Sequence, residues 1–94
     1  IRTFGHWADY SVAGEQSGLF QKLPERPGVD LPAYLAMGGP NGWTAYVGIA
    51  DVGKAKTGET VVVSAAAGAT GSLAGQVARN LGCRVIGLTS REDK

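Results

Sequence analysis

Residues 60–71 read TVVVSAAAGATG, and this stretch decides the fold class of the chain. Its first half is a continuous β-branched run, which is typical of a strand that is covered on both faces in a parallel sheet. From Ala69 to Leu81 apolar residues then recur at helical spacing, and Gly82 predicts the helix end because glycine adopts a left-handed backbone without a side-chain clash. RVIGLT at residues 84–89 predicts a second buried strand. Strand, helix and strand within about 30 residues predict one βαβ unit and an α/β fold.

The small-residue turn at residues 65–71, AAAGATG, matches the dinucleotide-binding pattern GxGxxG with Ala66 at the first glycine position. Gly68 and Gly71 occupy the second and third positions, between strand and helix as that pattern requires. A diphosphate at this turn would meet converging backbone N–H groups and the positive end of the helix dipole. The alternative interpretation is a helix-packing turn that binds no ligand.

The residues after the second strand bear on the kind of dinucleotide. The fingerprint expects an acidic residue about 20 positions on, where it binds the adenosine ribose. Here Thr89 takes that place, and Arg91 and Lys94 follow it closely. A 2′-phosphate on the ribose would be repelled by an acid and bound by cations, so these residues favour NADPH over NADH. The alternative is that residues 91–94 form a solvated charged turn.

Composition narrows the class of protein. The 94 residues are 44% hydrophobic, enough for one small domain or a piece of one. The net charge of +1 argues against general binding to nucleic acid or to an anionic membrane, and no apolar run approaches the roughly 18 residues that cross a bilayer. Cys83 and His6 alone cannot assemble a metal cluster. We expect a soluble, cytoplasmic protein without a metal, and a chain that is an interior part of a longer one.

The first part of the chain carries weaker signals. Alternation predicts a strand at residues 7–12, and a short strand is expected near 20–23 within a loop. Asp30 precedes a Pro-containing first turn, which predicts a helix whose N–H groups the carboxylate caps. Glycines and a proline at 38–40 end that helix.

A second helix is predicted up to Gly53, with Asn41 and Thr44 as the two candidate caps. Its apolar residues Ala45, Ile49 and Val52 fall on one face at helical spacing. The end of this helix, GIADVGKA, comes within one residue of the phosphate-binding pattern GxxxxGK[ST]. The match lacks the hydroxyl that would hold Mg²⁺ and does not follow a strand, so phosphate transfer is a disfavoured hypothesis.

Three stretches together resemble a known family: GHWADYSV, GGPNGWTAY and DVGKAKTGETVVVSAAAGATGSLAGQVARNLGCRVIG. They are similar to the zinc-independent medium-chain dehydrogenases/reductases, in the prostaglandin reductase and alkenal double-bond reductase branch. The resemblance covers essentially the whole chain. It implies the end of a GroES-like β domain in residues 1–36, followed in 37–94 by the first βαβ unit of a Rossmann domain. It also implies reduction of activated carbon–carbon double bonds in enones and enals, or of quinones, by hydride transfer from NADPH.

The resemblance also implies roles for particular residues. Thr44 would lie against the nicotinamide, Ala67 to Gly71 around the pyrophosphate and Lys94 beside the 2′-phosphate. In zinc-dependent relatives a cysteine ligand lies four residues before the threonine, and here that position is Pro40, which implies a zinc-free site. The full set expected to bind the cofactor is Thr44, Ala67, Gly68, Ala69, Thr70, Gly71, Thr89, Ser90, Arg91 and Lys94.

No catalytic residue is expected within this stretch, so the 94 residues alone are expected to be inactive. The expected partners are a small-molecule enone, enal or quinone and a second copy of the chain in a homodimer. The rival hypothesis is a truncated nucleotide-binding module that is not an enzyme. Such a module would expose an apolar sheet edge and self-associate.

Overall fold

The computed structural model describes residue 10 and residues 24–90. Apart from Tyr10, the strands predicted at 7–12 and 20–23 therefore lie outside the described residues. The described elements are three α-helices, a π-helical segment that continues the second of them, and two strands. In chain order they are α1 (Leu31–Gly38), α2 (Pro40–Tyr46), the π-helical segment (Val47–Val52), β1 (Thr60–Val63), α3 (Ala69–Asn80) and β2 (Arg84–Gly87).

The predicted βαβ unit is present. Strands β1 and β2 are parallel neighbours, paired from Thr60 with Arg84 to Val63 with Gly87, and α3 connects them. Gly82 has a φ of 83°, so the helix ends in the left-handed conformation that glycine was expected to supply. The parallel pair of strands and the helix that connects them confirm the predicted α/β class.

The core lies between α3, α2 and one face of the sheet. The apolar stripe of α3 faces inward as its spacing predicted, while Ser72, Gln76 and Arg79 are exposed. Because β1 alternates, its last residue points towards α3 and the preceding one points away. The buried apolar residues are Ala45, Val63, Leu73, Val77, Ala78 and Cys83.

The expectations that β1 is covered on both faces and that β2 is buried are wrong for the described residues. Val62 is 59% exposed and its paired neighbour Ile86 is 39% exposed. The physical reason is that the described helices pack on one side of the sheet only. Each strand also has four residues, fewer than predicted. Strand β1 ends early because the chain turns at Ser64 towards the start of α3.

Helix α1 begins directly after Asp30 as predicted, but the predicted cap is wrong because the Asp30 carboxylate makes no capping hydrogen bond. A capping side chain accepts from the second or third N–H of the helix. The second residue here is Pro32, which has no N–H, and the third N–H, on Ala33, donates to the Asp30 carbonyl at 3.2 Å. Neither the second nor the third residue of the helix therefore has an N–H left for the carboxylate.

Helix α2 begins at Pro40 with Gly39 as its cap, so neither Asn41 nor Thr44 is the cap residue that was predicted. Proline is well suited to the first helical position because its fixed φ is helical and its missing N–H would have had no partner there. Asn41 and Thr44 therefore lie inside the helix. The Asn41 side chain is available for a contact outside its own helix.

The predicted second helix does reach Gly53, but its last turn and a half is π-helical. The Gly53 N–H donates to the Gly48 carbonyl at 2.9 Å, five residues back. A turn this wide breaks the 3.6-residue spacing on which the apolar face of the helix was predicted. Ala45 is buried and Ile49 is partly buried, but Val52 is 77% exposed, so the prediction was wrong at Val52.

Candidate functional site

The loop between β1 and α3 has a constrained backbone. Ala65 adopts a φ of 49°, in the left-handed region, and the Gly68 N–H donates to its carbonyl at 2.8 Å. A left-handed residue with a Cβ costs about 1–2 kcal/mol, and strained residues of this kind cluster at ligand sites. The strained residue is Ala65, one before Ala66, which occupies the first glycine position of the fingerprint.

The third glycine position is required by close packing. A Cβ on Gly71 would lie 2.9 Å from the carbonyl carbon of Ala65 and 3.1 Å from the Cα of Ala66, and closer still to the Ala65 carbonyl oxygen. Only glycine lets the helix start approach the loop this closely. At Gly68 a Cβ would lie 3.2 Å from the same oxygen, which is a milder clash. Close packing therefore constrains Gly68 less than it constrains Gly71.

The first turn of α3 offers three backbone donors. The N–H groups of Ala69, Thr70 and Gly71 find no acceptor among residues 24–90, and the cap residue Gly68 has no side chain to supply one. The first turn holds no acidic residue either. These donors lie at the positive end of a 12-residue helix, which is the arrangement that binds a phosphate group.

The end of β2 lies beside this loop. The Ala66 N–H donates to the Leu88 carbonyl at 3.0 Å, and the Leu88 N–H donates to the Val63 carbonyl at 2.8 Å. The structure therefore brings Thr89 and Ser90, both exposed, next to the loop between β1 and α3. Arg91 and Lys94, the cations expected at the 2′-phosphate, lie outside the described residues.

The first turn of α2 also contacts the first turn of α3. The Thr70 hydroxyl donates to the side-chain oxygen of Asn41 at 2.9 Å. Thr44, exposed, follows three residues after Asn41 on the same helix. Sequence reasoning placed Thr70 at the pyrophosphate and Asn41 at a helix cap but missed the bond between them. The two residues are 29 positions apart, and no local pattern signals a contact across two helices.

The part of the chain that the structure describes holds neither a cluster of metal-binding side chains nor a membrane-spanning helix. Across these residues, no three His, Cys, Asp or Glu side chains come close enough to hold a metal ion. None of the helices described is long and apolar enough to cross a membrane.

Comparison with known proteins decides the family. Prostaglandin reductase 1 of Oryctolagus cuniculus is 46% identical over 90 residues, which span 94% of this chain and 25% of that protein. A 2-alkenal reductase (NADP(+)-dependent) of Nicotiana tabacum is 43% identical over 88 residues, again 94% of this chain and 25% of the relative. The chain belongs to the prostaglandin and alkenal reductase branch of the medium-chain dehydrogenases/reductases. It spans about a quarter of the length of these relatives.

A solved structure supports the same fold. The crystal structure of CurA in complex with NADPH, from Vibrio vulnificus, aligns with a TM-score of 0.63 and 45% sequence identity. The alignment covers 77% of this chain and 21% of the CurA chain. No family model matches the chain.

Proposed function

We propose that the full-length protein is an NADPH-dependent oxidoreductase that reduces activated carbon–carbon double bonds in enones and enals, or quinones, by hydride transfer. The observation that carries this proposal is the set of three N–H groups at the start of α3 without an acceptor among residues 24–90, beside a loop that requires glycine at Gly71. The names of the relatives support the cofactor, since one is described as NADP(+)-dependent and CurA was crystallised with NADPH.

In this proposal each part of the described site has one task. The backbone of Ala67 to Gly71 binds the diphosphate, and Thr44 on α2 contacts the nicotinamide. Thr89 and Ser90, with Arg91 and Lys94 beyond them, surround the 2′-phosphate. The bound cofactor would supply a hydride for the electrophilic β-carbon of the substrate. The residues of this chain bind and orient that cofactor.

We propose that the reaction needs no zinc. Pro40, at the position where zinc-dependent relatives carry a cysteine, is the first residue of α2 and has no side-chain atom that can bind a metal. Activity should persist after dialysis against a chelator, with no zinc detected by elemental analysis. Loss of activity on chelation and recovery with zinc would contradict this.

The proposed domain layout assigns residues 1–36 to a GroES-like domain and 37–94 to a Rossmann domain, so that the boundary falls in the last turn of α1. We further propose that the full-length protein is a cytoplasmic homodimer. Sedimentation of the purified protein tests the oligomeric state, and a stable monomer would contradict it. Cell fractionation tests the compartment, and recovery of the protein in a membrane or organelle fraction would contradict it.

The cofactor assignment is tested by titrating the full-length protein with NADPH and with NADH. NADPH should bind more tightly, and Arg91→Ala should weaken NADPH binding about tenfold or more while leaving NADH unchanged, because one charge-assisted hydrogen bond is lost. Arg79→Ala is the matched control, since Arg79 is exposed in the last turn of α3, away from the loop. Tighter binding of NADH by the unmutated protein would contradict the assignment.

A second candidate function is a self-associating nucleotide-binding module without catalysis. The observation that favours it is the exposed apolar pair Val62 and Ile86 on the outer face of the sheet. An enone, an enal and a quinone, each supplied with NADPH, distinguish the two functions. Cofactor oxidation with any of them supports the reductase. Binding of NADPH with turnover of none of the three substrates, together with sedimentation as a dimer or larger, supports the module.

A further inference from the structure

We propose that Asn41 is a positioning residue for the cofactor: by binding the Thr70 hydroxyl, it holds the start of α2 at a set position against the start of α3, where the diphosphate is proposed to bind. The inference rests on the proposed NADPH site. It gives Thr70 a role different from a direct side-chain contact with phosphate. It also gives Asn41 a functional role, although Asn41 is not among the expected cofactor-binding residues.

The geometry divides the polar groups of Thr70 between two tasks. Its N–H, in the first turn of α3, has no acceptor among the described residues and is one of the three donors proposed to bind the diphosphate. Its hydroxyl donates to the side-chain oxygen of Asn41 at 2.9 Å. A hydroxyl carries one donor hydrogen, so while this bond is present the Thr70 side chain cannot also donate to a phosphate oxygen.

The bond matters because, among the described residues, no other hydrogen bond joins α2 to α3. The buried residues of α2 are Gly42 and Ala45, which have no polar side-chain group, and apolar contacts have no preferred direction. A hydrogen bond has a preferred distance and angle, so it selects one arrangement of the two helices. The bond therefore specifies how the two helix starts lie against each other.

That arrangement sets where Thr44 lies relative to the phosphate-binding N–H groups. Thr44 is one helical turn after Asn41, on the neighbouring surface of α2. Shifting Thr44 against the loop would move the nicotinamide relative to the diphosphate. Hydride transfer is sensitive to small displacements of the reacting atoms, whereas diphosphate binding through backbone donors is less so. Breaking the bond should therefore slow the chemical step more than it weakens cofactor binding.

The test is a double-mutant cycle in the full-length protein with Asn41→Leu, Thr70→Val and the double variant. The measurements are the dissociation constant for NADPH and the single-turnover rate of hydride transfer. Each single variant should slow hydride transfer about three- to tenfold, the range expected for one lost hydrogen bond, with a smaller change in NADPH affinity. The double variant should be no slower than the singles, because both substitutions remove the same interaction.

Two further variants serve as controls. Thr70→Ser keeps the hydroxyl and should retain the unmutated rate within about twofold. Asn80→Leu makes the same change as Asn41→Leu at an exposed position at the end of α3 and should have no effect on the rate. Asn41→Ala replaces Asn41→Leu if the larger side chain prevents folding.

The outcomes separate this inference from the proposed function. If Thr70→Val weakens NADPH binding tenfold or more while Asn41→Leu changes neither measurement, the hydroxyl binds phosphate and the positioning role is overturned. Additive effects in the double variant would overturn it as well. If the unmutated protein binds no NADPH, the proposed function itself fails, and the positioning role fails with it.

Discussion

Gly71→Ala is the substitution whose effect the structure predicts most directly. The added Cβ would lie 2.9 Å from the carbonyl carbon of Ala65 and 3.1 Å from the Cα of Ala66. Both are backbone atoms, and Ala65 already adopts a left-handed φ of 49°, so the loop cannot rotate away without further strain. The first turn of α3 must therefore move outward from the loop.

The magnitude follows from two opposing effects. Inserting a methyl group into a closely packed site costs about 1–3 kcal/mol. Replacing glycine by alanine in a helix returns up to about 1 kcal/mol, and less in the first turn. We expect a net loss of about 1–2 kcal/mol in the free energy of unfolding. Because the moved turn carries the phosphate-binding donors, NADPH affinity should fall about tenfold, the equivalent of one lost hydrogen bond to a charged group.

The matched control is Gly75→Ala, one turn further along the same helix. There the added Cβ would lie 3.6 Å from the Cγ1 of Val85, which is an ordinary van der Waals contact. This variant should gain about 0.5–1 kcal/mol from helix propensity and bind NADPH normally. The assays are urea unfolding and fluorescence titration with NADPH, both on the full-length protein. Unchanged stability and unchanged NADPH affinity in Gly71→Ala would refute the reasoning.

Two further substitutions test the packing of the βαβ unit. Gly82→Ala should lower the free energy of unfolding by about 1–2 kcal/mol, because Gly82 has a φ of 83° and the added Cβ would lie 2.8 Å from the Cγ2 of Thr57. Gly48→Ala is its control, since the added Cβ would meet nothing within 4 Å beyond its chain neighbours and its own helix backbone, and an equal loss in both would contradict the explanation. Ala78→Leu should lower the free energy of unfolding by about 1–3 kcal/mol in thermal denaturation, because Ala78 is 0% exposed and the larger side chain has no room. A normal melting temperature for Ala78→Leu would show that the core is not closely packed around α3.

Much of the fold was readable from local pattern. The β-branched run at residues 60–63, the apolar spacing of α3 and the stop at Gly82 predicted the βαβ unit that the structure shows. Gly68 and Gly71 likewise marked the loop at the start of α3. These features are local because a strand, a helix stripe and a left-handed turn each depend on residues only a few positions apart.

The remaining features depend on contacts between distant segments or on competition within a turn. The Asp30 carboxylate does not cap α1, because Pro32 has no N–H and the Ala33 N–H already donates to the Asp30 carbonyl. Val62 is exposed because burial depends on what packs against the sheet, which the composition of the strand does not reveal.

In the candidate site, too, some features follow from local sequence and others from contacts between distant segments. The amino-acid sequence alone determines that a small-residue loop joins a strand to a helix. It also determines that the second and third glycine positions of the dinucleotide-binding pattern are filled, by Gly68 and Gly71. Only the tertiary structure places the first turn of α2 beside the first turn of α3 and joins Asn41 to Thr70 across 29 positions. The physical reason is that helix-packing geometry depends on the whole interface between two helices, whereas helix formation depends on neighbours within one or two turns.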